Sequence, residues 1–421
     1  MELFGQIVVY VIMACAVVGC IASVVKPECE LGQEFVKGID SIGSIFLPCA
    51  GILASAPYLT AFVTNAAGPL YGAIGADSAI AATTFIANDM GGYQLAYALA
   101  ETKEDWMVAM MAGYMCGPTI VFTIPVALKM LAKNDYKYLA LGVMCGLLAI
   151  PFGVLVSCCI IAVSHPVIRD VVSTNSDAVY TVMLEFGQIA MNLVPLVVIC
   201  IALALGLKLK TNAMIKGFVV FGRVMQSALK IVFVLVVVEY FTGLFSTVFG
   251  GFGFDPVIAD DEDVFRALEV AGAIGMMLCG AFPMVWLVKR FLSVPLARMG
   301  GLFGLSSAAM TGLLAATANV LAGLATIGGM RPKDKVVVLA YSVCAAFLLG
   351  DHLSFTANFQ PALILPVMAG KFIGGVLGIA FAKLLAVKKA EALGLVAHEG
   401  KEAGVAGNEK AECSRKKIIE R

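Results

Sequence analysis

Eleven hydrophobic segments follow one another along the chain, and no other feature of the sequence restricts the fold as strongly. Lipid offers backbone N–H and C=O groups no hydrogen-bond partner, so a chain crosses it only as helices or as a closed barrel. Apolar segments of about 20 residues are typical of helices. With 60% hydrophobic and 14% charged residues, the sequence predicts an all-α polytopic membrane protein. The segments cover approximately residues 5–25, 38–63, 75–99, 106–131, 138–164, 180–207, 215–248, 266–288, 301–328, 335–357 and 361–387.

The two halves of the chain resemble each other. Sliding the sequence along itself by 232 positions places Ile42-Gly43 on Ile274-Gly275, and a shift of 233 places GPTIVFT (117–123) on GDHLSFT (350–356). Several matches in one order at similar offsets indicate a duplicated unit.

The distribution of basic residues indicates how the segments cross the membrane. If all eleven were full crossings, Lys and Arg would divide about evenly between the two faces, contrary to the cytoplasmic excess of inner-membrane proteins. If 75–99 and 301–328 are re-entrant hairpins, nearly all basic loop residues share one face. We therefore predict about nine full spans and two hairpins, with the N-terminus outside and the C-terminus in the cytoplasm.

This number of crossings predicts that the two repeats are inverted relative to each other in the membrane. Segment 38–63 is the second crossing and its copy at 266–288 is the seventh, so an odd number of crossings separates them. We predict a first membrane repeat over 1–164 and a second over 165–387 with inserted helices, one of them amphipathic at about 212–230. Inverted repeats with re-entrant hairpins and broken helices are typical of secondary transporters.

The tip of the first hairpin carries Asn88 and Asp89, followed by Gly91 and Gly92. A carboxylate at the centre of a membrane segment is unfavourable by about 2.5–3.5 kcal/mol, so it is expected to have a partner or a task. The glycines allow a turn or a close approach of two backbones. We predict that Asn88 and Asp89 bind substrate; the alternative is that Asp89 caps the second arm of the hairpin.

Two helices are predicted to be broken near their middle, at Gly117-Pro118 and at Gly350. Proline lacks a backbone donor and glycine is a weak helix former, so both breaks should expose helix ends and carbonyls. Thr119 adds a hydroxyl that either faces substrate or bonds back to the preceding turn. Asn319, near the tip of the second hairpin, adds an amide.

The second break continues into four further candidate residues. Asp351 either binds a cationic solute or coupling ion, or pairs with His352. His352 is either a proton-sensitive group or a buried hydrogen-bond partner. Ser354 offers a hydroxyl, and Phe355 offers a ring that stacks on a cation or packs in the core.

The sequence shows no Walker A motif, dinucleotide-binding glycine pattern or zinc motif, so it predicts no cofactor. A formal net charge of zero gives no indication of nucleic acid. The charged residues 388–421 are expected to form a disordered cytoplasmic tail. The residues alone thus predict a transporter for a small polar or cationic solute, with the coupling ion, proton or sodium, left open.

Five stretches of the sequence are distinctive: MCGPTIVFTIPVAL (115–128), YLALGV (138–143), NDMGG (88–92), GAFPMVWL (280–287) and LLGDHLSF (348–355). They resemble the signature stretches of the EutH-type ethanolamine permeases, and the similarity extends to about residue 387. The resemblance implies uptake of ethanolamine across the inner membrane of bacteria that degrade it, and it identifies no binding residues.

Each predicted repeat contains a hairpin, a broken helix and a span in the same order, and the two repeats are inverted. This order is also similar to that in the transport domain of concentrative nucleoside transporters. This likeness of fold implies an elevator-like mechanism in a homo-oligomer. Within transport, the alternatives are a channel-like path for neutral ethanolamine and a carrier for another small amine or a nucleoside. An alternative from a different class is an intramembrane aspartyl protease, in which Asp89 and Asp351 would form the carboxylate pair. Such proteases usually have a glycine-x-glycine-aspartate stretch, whereas this sequence has Leu at position 348.

Overall fold

The computed structural model describes residues 1–395 apart from 262 and 303, and most of these residues are helical. Within the described chain, the only sheet is a two-stranded antiparallel ribbon that pairs Val167 with Thr181. The first half contains α1 (Glu2–Val25), α2 (Glu30–Ala54), α3 (Ala56–Ala66), α4 (Gly68–Gly72), α5 (Ala79–Phe85), α6 (Gly92–Leu99), α7 (Lys103–Gly113), a π-helical stretch (Pro118–Thr123), α8 (Ile124–Met130) and α9 (Tyr136–Ser164).

The ribbon lies between the two halves, and inserted helices follow it. The remaining elements are β1 (Val167–Ile168), β2 (Tyr180–Thr181), α10 (Phe186–Leu209), α11 (Thr211–Thr242), α12 (Leu244–Phe249), α13 (Ala267–Leu302), α14 (Ser307–Ala318), α15 (Val320–Ala325), α16 (Pro332–Ala345), α17 (Asp351–Phe359) and α18 (Ile364–Leu385).

The prediction of an all-α polytopic membrane protein is confirmed. Among the described residues, eight helical segments are long and apolar enough to cross a bilayer. A helix of 24 residues such as α1 is about 36 Å long, slightly more than the hydrocarbon core of a bilayer. The pair α16 and α17 forms a ninth apolar segment, divided at residues 346–350.

Helical hairpins are present at both predicted places. In hairpin 1, the helices α5 and α6 run antiparallel, because Asp77 at the start of one arm accepts a hydrogen bond from Glu101 N after the other. In hairpin 2, formed by α14 and α15, Gly323 lies against Ala316 and Gly312 against Thr326. The tips lie at Asn88–Met90 and at Asn319, as the sequence predicts.

Equivalent helices of the two halves pack against each other in opposite directions. Between α2 and α13, Gly38 contacts Cys279 and Gly275 contacts Ile42, so one residue number rises as the other falls. The same holds for α9 and α18, where Gly153 contacts Gly374 and Ser157 bonds to Pro366 O. Antiparallel packing of equivalent elements is the arrangement that an inverted repeat produces.

Burial separates a central layer from a peripheral one. The window of Lys103–Met130, which contains the first broken helix, is 94% buried, whereas the windows of α1 and α11 are 11% buried. Helices that are apolar all round and bury little inside the protein present their side chains to lipid. The broken helices therefore form the core, and α1 and α11 lie at the edge.

Two predicted boundaries among the membrane helices differ from the structure. Segment 38–63 is divided, because α2 ends at Ala54 and Pro57 at the start of α3 lacks the N–H needed to continue the helix. The amphipathic helix expected at 212–230 is not a separate element: it is continuous with the following apolar residues in α11. The helix spans both because no proline or cap interrupts it.

The expected tail begins later than predicted. Residues 387–395 are helical, and Lys137 Nζ donates to Leu393 O at 3.1 Å, which holds this segment against the start of α9. Charge alone suggested disorder here, but this tertiary contact stabilises a helix. The rest of the predicted tail, 396–421, lies outside the described residues.

Candidate functional site

A cavity of about 510 Å³ lies where the tips of the two hairpins meet the two broken helices. Its walls are mostly apolar, with a small number of polar groups, which is typical of a site for a small molecule. The polar lining includes Asp89 of hairpin 1, Asn319 of hairpin 2, Asp351 and His352 of α17, and Ser41 and Ser44 of α2.

The first broken helix is interrupted one turn before Pro118. Helix α7 ends at Gly113, and a π-helical stretch begins at Pro118. Proline has no N–H to give to the carbonyl of Tyr114, four residues earlier. That carbonyl accepts a hydrogen bond of 2.8 Å from Lys371 Nζ of α18, so an ammonium group stabilises the break.

The second broken helix is interrupted over residues 346–350, against the tip of hairpin 2. The amides of Phe347 and Leu349 donate to Ala316 O at 3.2 Å and Thr317 O at 2.9 Å, which satisfies carbonyls at the end of α14. A Cβ on Gly350 would lie 2.1 Å from Ala318 O. Glycine is therefore required for the close approach of the break and the hairpin.

Phe347 adopts a left-handed backbone conformation with φ of 60°. This conformation is unfavourable for a bulky residue by about 1–3 kcal/mol and is often found at functional sites. Its ring lines the cavity and lies 5.3 Å from the His352 ring and 5.9 Å from the Phe122 ring. The strained residue thus forms part of the cavity wall.

The tip of hairpin 1 is fixed by a polar contact and a glycine. Asn88 Nδ2 donates to Met110 O at 2.7 Å, which ties the tip to α7. Gly91 has φ of 98°, a conformation that favours glycine. Asp89 lines the cavity, and its Oδ1 is buried without a hydrogen-bond partner in the described chain. No side chain caps the N-terminus of α6, the second arm of hairpin 1. Asp89 therefore does not cap this arm, which was the alternative to substrate binding.

The capping role belongs instead to the tip of hairpin 2. Asn319 Oδ1 accepts from Leu321 N at 2.8 Å, so this side chain caps α15 while it lines the cavity. The two tips therefore differ: one leaves a carboxylate oxygen unpartnered, and the other uses its polar side chain in the fold.

Asp351 and His352 lie side by side on the cavity at the N-terminus of α17. Among the described residues no hydrogen bond joins them, so they do not form the mutual pair that was one reading of the sequence. His352 packs against the rings of Tyr114 and Phe347, and its Nδ1 is buried without a partner in the described part of the chain. Asp351 lines the same cavity as Asp89.

Four predicted site residues do not line the cavity. Thr119 donates to Met115 O and to Val343 O, so its hydroxyl joins the two broken helices. Phe355 lies in a buried aromatic cluster, 5.4 Å from the ring of Tyr93. The remaining two are Asn88, described above, and Ser354, which is fully buried.

Of the predicted glycines and proline at the breaks and tip, Pro118 alone lines the cavity, whereas Gly91, Gly92, Gly117 and Gly350 shape its frame.

Sequence reasoning missed several groups around the cavity. Ser41, Ser44, Gln226 and Lys230 come from helices whose facing sides the sequence does not reveal. Lys371 of α18 is buried and donates a hydrogen bond to the carbonyl of Tyr114 at the first break. A signal for Lys371 did exist, because an ionisable residue in the middle of an apolar segment is usually functional.

Buried hydrogen bonds seal the base of hairpin 1, on the side away from the basic loops. Asn192 of α10 accepts from Asp77 N at 2.7 Å and donates to Asp105 Oδ1 at 2.7 Å. Glu104 accepts from Tyr180 and from Met183 N, which attaches the ribbon to the same place. Such a satisfied polar network rigidifies the contact between elements.

Arg169, in the loop of the ribbon, extends this seal to α17. Its guanidinium donates to Asn358 O and Phe359 O at 2.6 and 2.9 Å, the last carbonyls of the helix. Burial lowers the pKa of Arg169, while nearby Tyr93 and Asp177 raise it. A cation at a helix C-terminus also interacts favourably with the helix dipole.

The cavity extends toward the opposite, basic side. There Lys230 and Gln226 line it, and Gln226 accepts a hydrogen bond from Lys129. A second cavity of about 280 Å³ shares Phe282, Asn319 and Leu321 with the first and reaches Lys37 and Lys289. The site is thus sealed on one side and approached from the other, beside hairpin 2.

Comparison with known proteins gives one family. Residues 4–385 match the family described as "Ethanolamine utilisation protein, EutH". The chain is 35% identical to the "Probable ethanolamine permease EutH" of Listeria monocytogenes over 89% of this chain and 92% of that protein. The protein of the same name from Salmonella typhimurium is 36% identical, over 85% of this chain and 86% of its own length. These relatives are named as permeases, not as enzymes. No solved structure matches the chain significantly.

Proposed function

Because the chain belongs to the EutH family of ethanolamine utilisation proteins, we propose that it is a permease that carries protonated ethanolamine by alternating access. The observation that carries this proposal is one cavity that both Asp89 and Asp351 line, at the meeting point of two hairpins and two broken helices. Sites of this construction bind substrate in transporters with inverted repeats.

The chemistry of the cavity suits a small ammonium compound. An alkylamine with a pKa near that of lysine, about 10.4, is almost entirely protonated at neutral pH. Asp351 is the carboxylate that pairs with this ammonium group, and His352 and Asn319 offer polar atoms to the hydroxyl. The apolar walls strengthen the attraction, because the effective dielectric constant is lower there than in water.

The asymmetry of access supports alternating access rather than an open channel. The hydrogen bonds of Asn192 and Arg169 close one side, while the cavity extends to Lys230 on the other. By the cytoplasmic excess of basic loops, the accessible side is the cytoplasmic one, in a bacterial inner membrane, with the N-terminus outside and the C-terminus inside. An elevator-like movement in a homo-oligomer is our proposal for the change of access, with α1 and α11 as peripheral scaffold.

Uptake of labelled ethanolamine into proteoliposomes at pH 6, 7 and 8 tests the proposal. For a carrier of the protonated form we expect saturable uptake that changes little with pH, since the cation concentration is nearly constant. A path for neutral ethanolamine would instead raise uptake about tenfold per pH unit, in proportion to the unprotonated fraction. Absence of saturable uptake at every pH would contradict the assignment of ethanolamine.

A further inference from the structure

Three phenylalanine rings line the same cavity as the two carboxylates, and pairing of the substrate with Asp351 does not involve them. Phe347 lies in the second break, Phe122 in the π-helical stretch of the first, and Phe282 in α13. The face of an aromatic ring carries partial negative charge and attracts a cation within about 6 Å of the ring centre. The cavity therefore offers an ammonium group aromatic surface as well as carboxylate oxygens.

Hydrogen bonds of the second break place Phe347 beside Asp351. The carbonyl of Phe347 accepts from Gly350 N at 3.1 Å and from His352 N at 3.2 Å. This double contact folds the segment into a tight turn, so Phe347 and Asp351 line one cavity although they are only four residues apart. A Cβ on Gly350 would lie 3.8 Å from Cε1 of Phe282, so a second ring flanks the residue before Asp351.

The backbone and the neighbours of Phe347 fix the orientation of its ring. Its φ of 60° is unfavourable for a bulky residue, and such conformations are often found at functional sites. The ring is 5% exposed and packs between the Phe122 ring at 5.9 Å and the His352 ring at 5.3 Å. A side chain that is fixed before a ligand arrives loses little conformational entropy on binding.

The two ends of the cavity differ in what they offer a cation. At one end Asp89 Oδ1 is buried and has no hydrogen-bond partner in the described chain. At the end nearest the basic loops Lys230 is exposed, so water and salt screen its charge. A cation–π interaction is stronger where the cation is desolvated. The buried end, where Phe347 lies, is therefore the favourable place for an ammonium group.

The rings of the two halves are used differently. A shift of 233 places Phe122 on Phe355, the residue that the sequence predicts to stack on a cation. Phe122 lines the cavity, whereas Phe355 stacks on Phe359 at 4.4 Å in the core. In the second half, the ring that is available to a cation is thus Phe347 and not Phe355.

We propose that Phe347, with Phe122 and Phe282 beside it, binds the ammonium group of the substrate by cation–π interaction together with Asp351. The rings thereby make the site selective for cations over neutral molecules of the same size. This inference rests on the proposed transport of protonated ethanolamine and names the residues that recognise its charge. Because a ring face attracts a cation without accepting a hydrogen bond from it, the site also binds ammonium ions whose N–H groups are replaced by methyl groups.

Fluorination of the ring at position 347 tests the proposal. Mono-, di- and trifluorophenylalanine are incorporated there in the full-length protein, and binding of ethanolamine is measured by isothermal titration calorimetry in detergent at pH 7. Fluorine withdraws negative charge from the ring face but changes its size little, so a purely structural role would not respond. We expect stepwise weaker binding, by about three- to 30-fold in total. The same series at Phe152, which is 47% exposed on α9 and lies outside the cavity, is the matched control.

Two further probes separate this inference from the proposed substrate. Tetramethylammonium has the charge but no N–H group, and ethylene glycol has a neutral hydroxyl in place of the ammonium group of ethanolamine. We expect wild type to bind tetramethylammonium with the same dependence on fluorination, and ethylene glycol at least about tenfold more weakly than ethanolamine.

Equal affinity for ethanolamine across the fluorinated series would overturn the role of the ring while leaving transport of ethanolamine in place. Equal binding of ethylene glycol and ethanolamine would overturn the selectivity for cations. If wild type binds tetramethylammonium in a fluorination-dependent manner but not ethanolamine, the proposed substrate fails and the role of Phe347 stands. Binding of neither cation would overturn both.

Discussion

The two hairpins lie at equivalent positions of the predicted repeat, yet they are held in different ways. Hairpin 1 is fastened at its base by the buried network of Asp77, Asn192 and Asp105. Hairpin 2 has a cavity beside it, and its Leu321 is 37% exposed. The predicted repeat therefore contains one hairpin that is fastened at its base and one that lies beside a cavity. Under the alternating access that we propose, this difference corresponds to one end state of the cycle.

Substitution of the two carboxylates that line the cavity should have the largest effect on uptake. Asp351→Asn removes the carboxylate that we propose pairs with the ammonium group of the substrate. Loss of one partner of a buried charge pair costs about 2–5 kcal/mol, which corresponds to about 30-fold or more in uptake. Asp89→Asn should reduce uptake less, because Asp351 remains. Asp40→Asn, an exposed position on α2, is the control. Equal uptake by wild type and Asp351→Asn would remove Asp351 from the site.

Substitution of the glycines at the two breaks should have a smaller effect, and the loss of stability should differ between the two halves. A Cβ at position 350 would lie 2.1 Å from Ala318 O, whereas one at position 117 would lie 2.6 Å from Ile86 O. We expect Gly350→Ala to destabilise the protein by about 1–3 kcal/mol and Gly117→Ala by less, measured by denaturant unfolding. Gly272→Ala has open space and should be neutral or stabilising. A harmless Gly350→Ala would show that the break and hairpin 2 are not in close contact.

Two asparagines that hold the hairpins, one in α10 and one at the tip of hairpin 2, should give effects no larger than this. Asn192→Ala leaves Asp77 N and Asp105 Oδ1 without this buried partner, a loss of about 1–3 kcal/mol. Asn319→Ala removes a helix cap, a loss of about 1 kcal/mol. Asn65→Ala, at an exposed position on α3, should change the unfolding free energy by less than about 0.5 kcal/mol. If Asn319→Ala proved more destabilising than Asn192→Ala, hairpin 2 would be the better fastened of the two.

Hydrophobic pattern and charge predicted the helices, both hairpins and both breaks, because these features depend on local properties of the chain. The same reasoning predicts Asp89 and Asp351, which line the cavity, since a charge in an apolar segment is conspicuous. The seal at Asn192 could not be predicted, because it depends on which face of α10 meets hairpin 1. For the same reason the sequence predicts Thr119 and Phe355 as site residues, although their side chains point into contacts between helices.

Counterflow distinguishes a carrier with two alternately accessible states from an open path. Proteoliposomes are loaded with unlabelled ethanolamine, diluted into a trace of labelled ethanolamine, and sampled over time. A carrier with Asp351 at its site predicts a transient accumulation of label above equilibrium in the wild type and none in Asp351→Asn. Simple equilibration without accumulation in the wild type would contradict alternating access, and equal accumulation in the variant would contradict the assignment of Asp351.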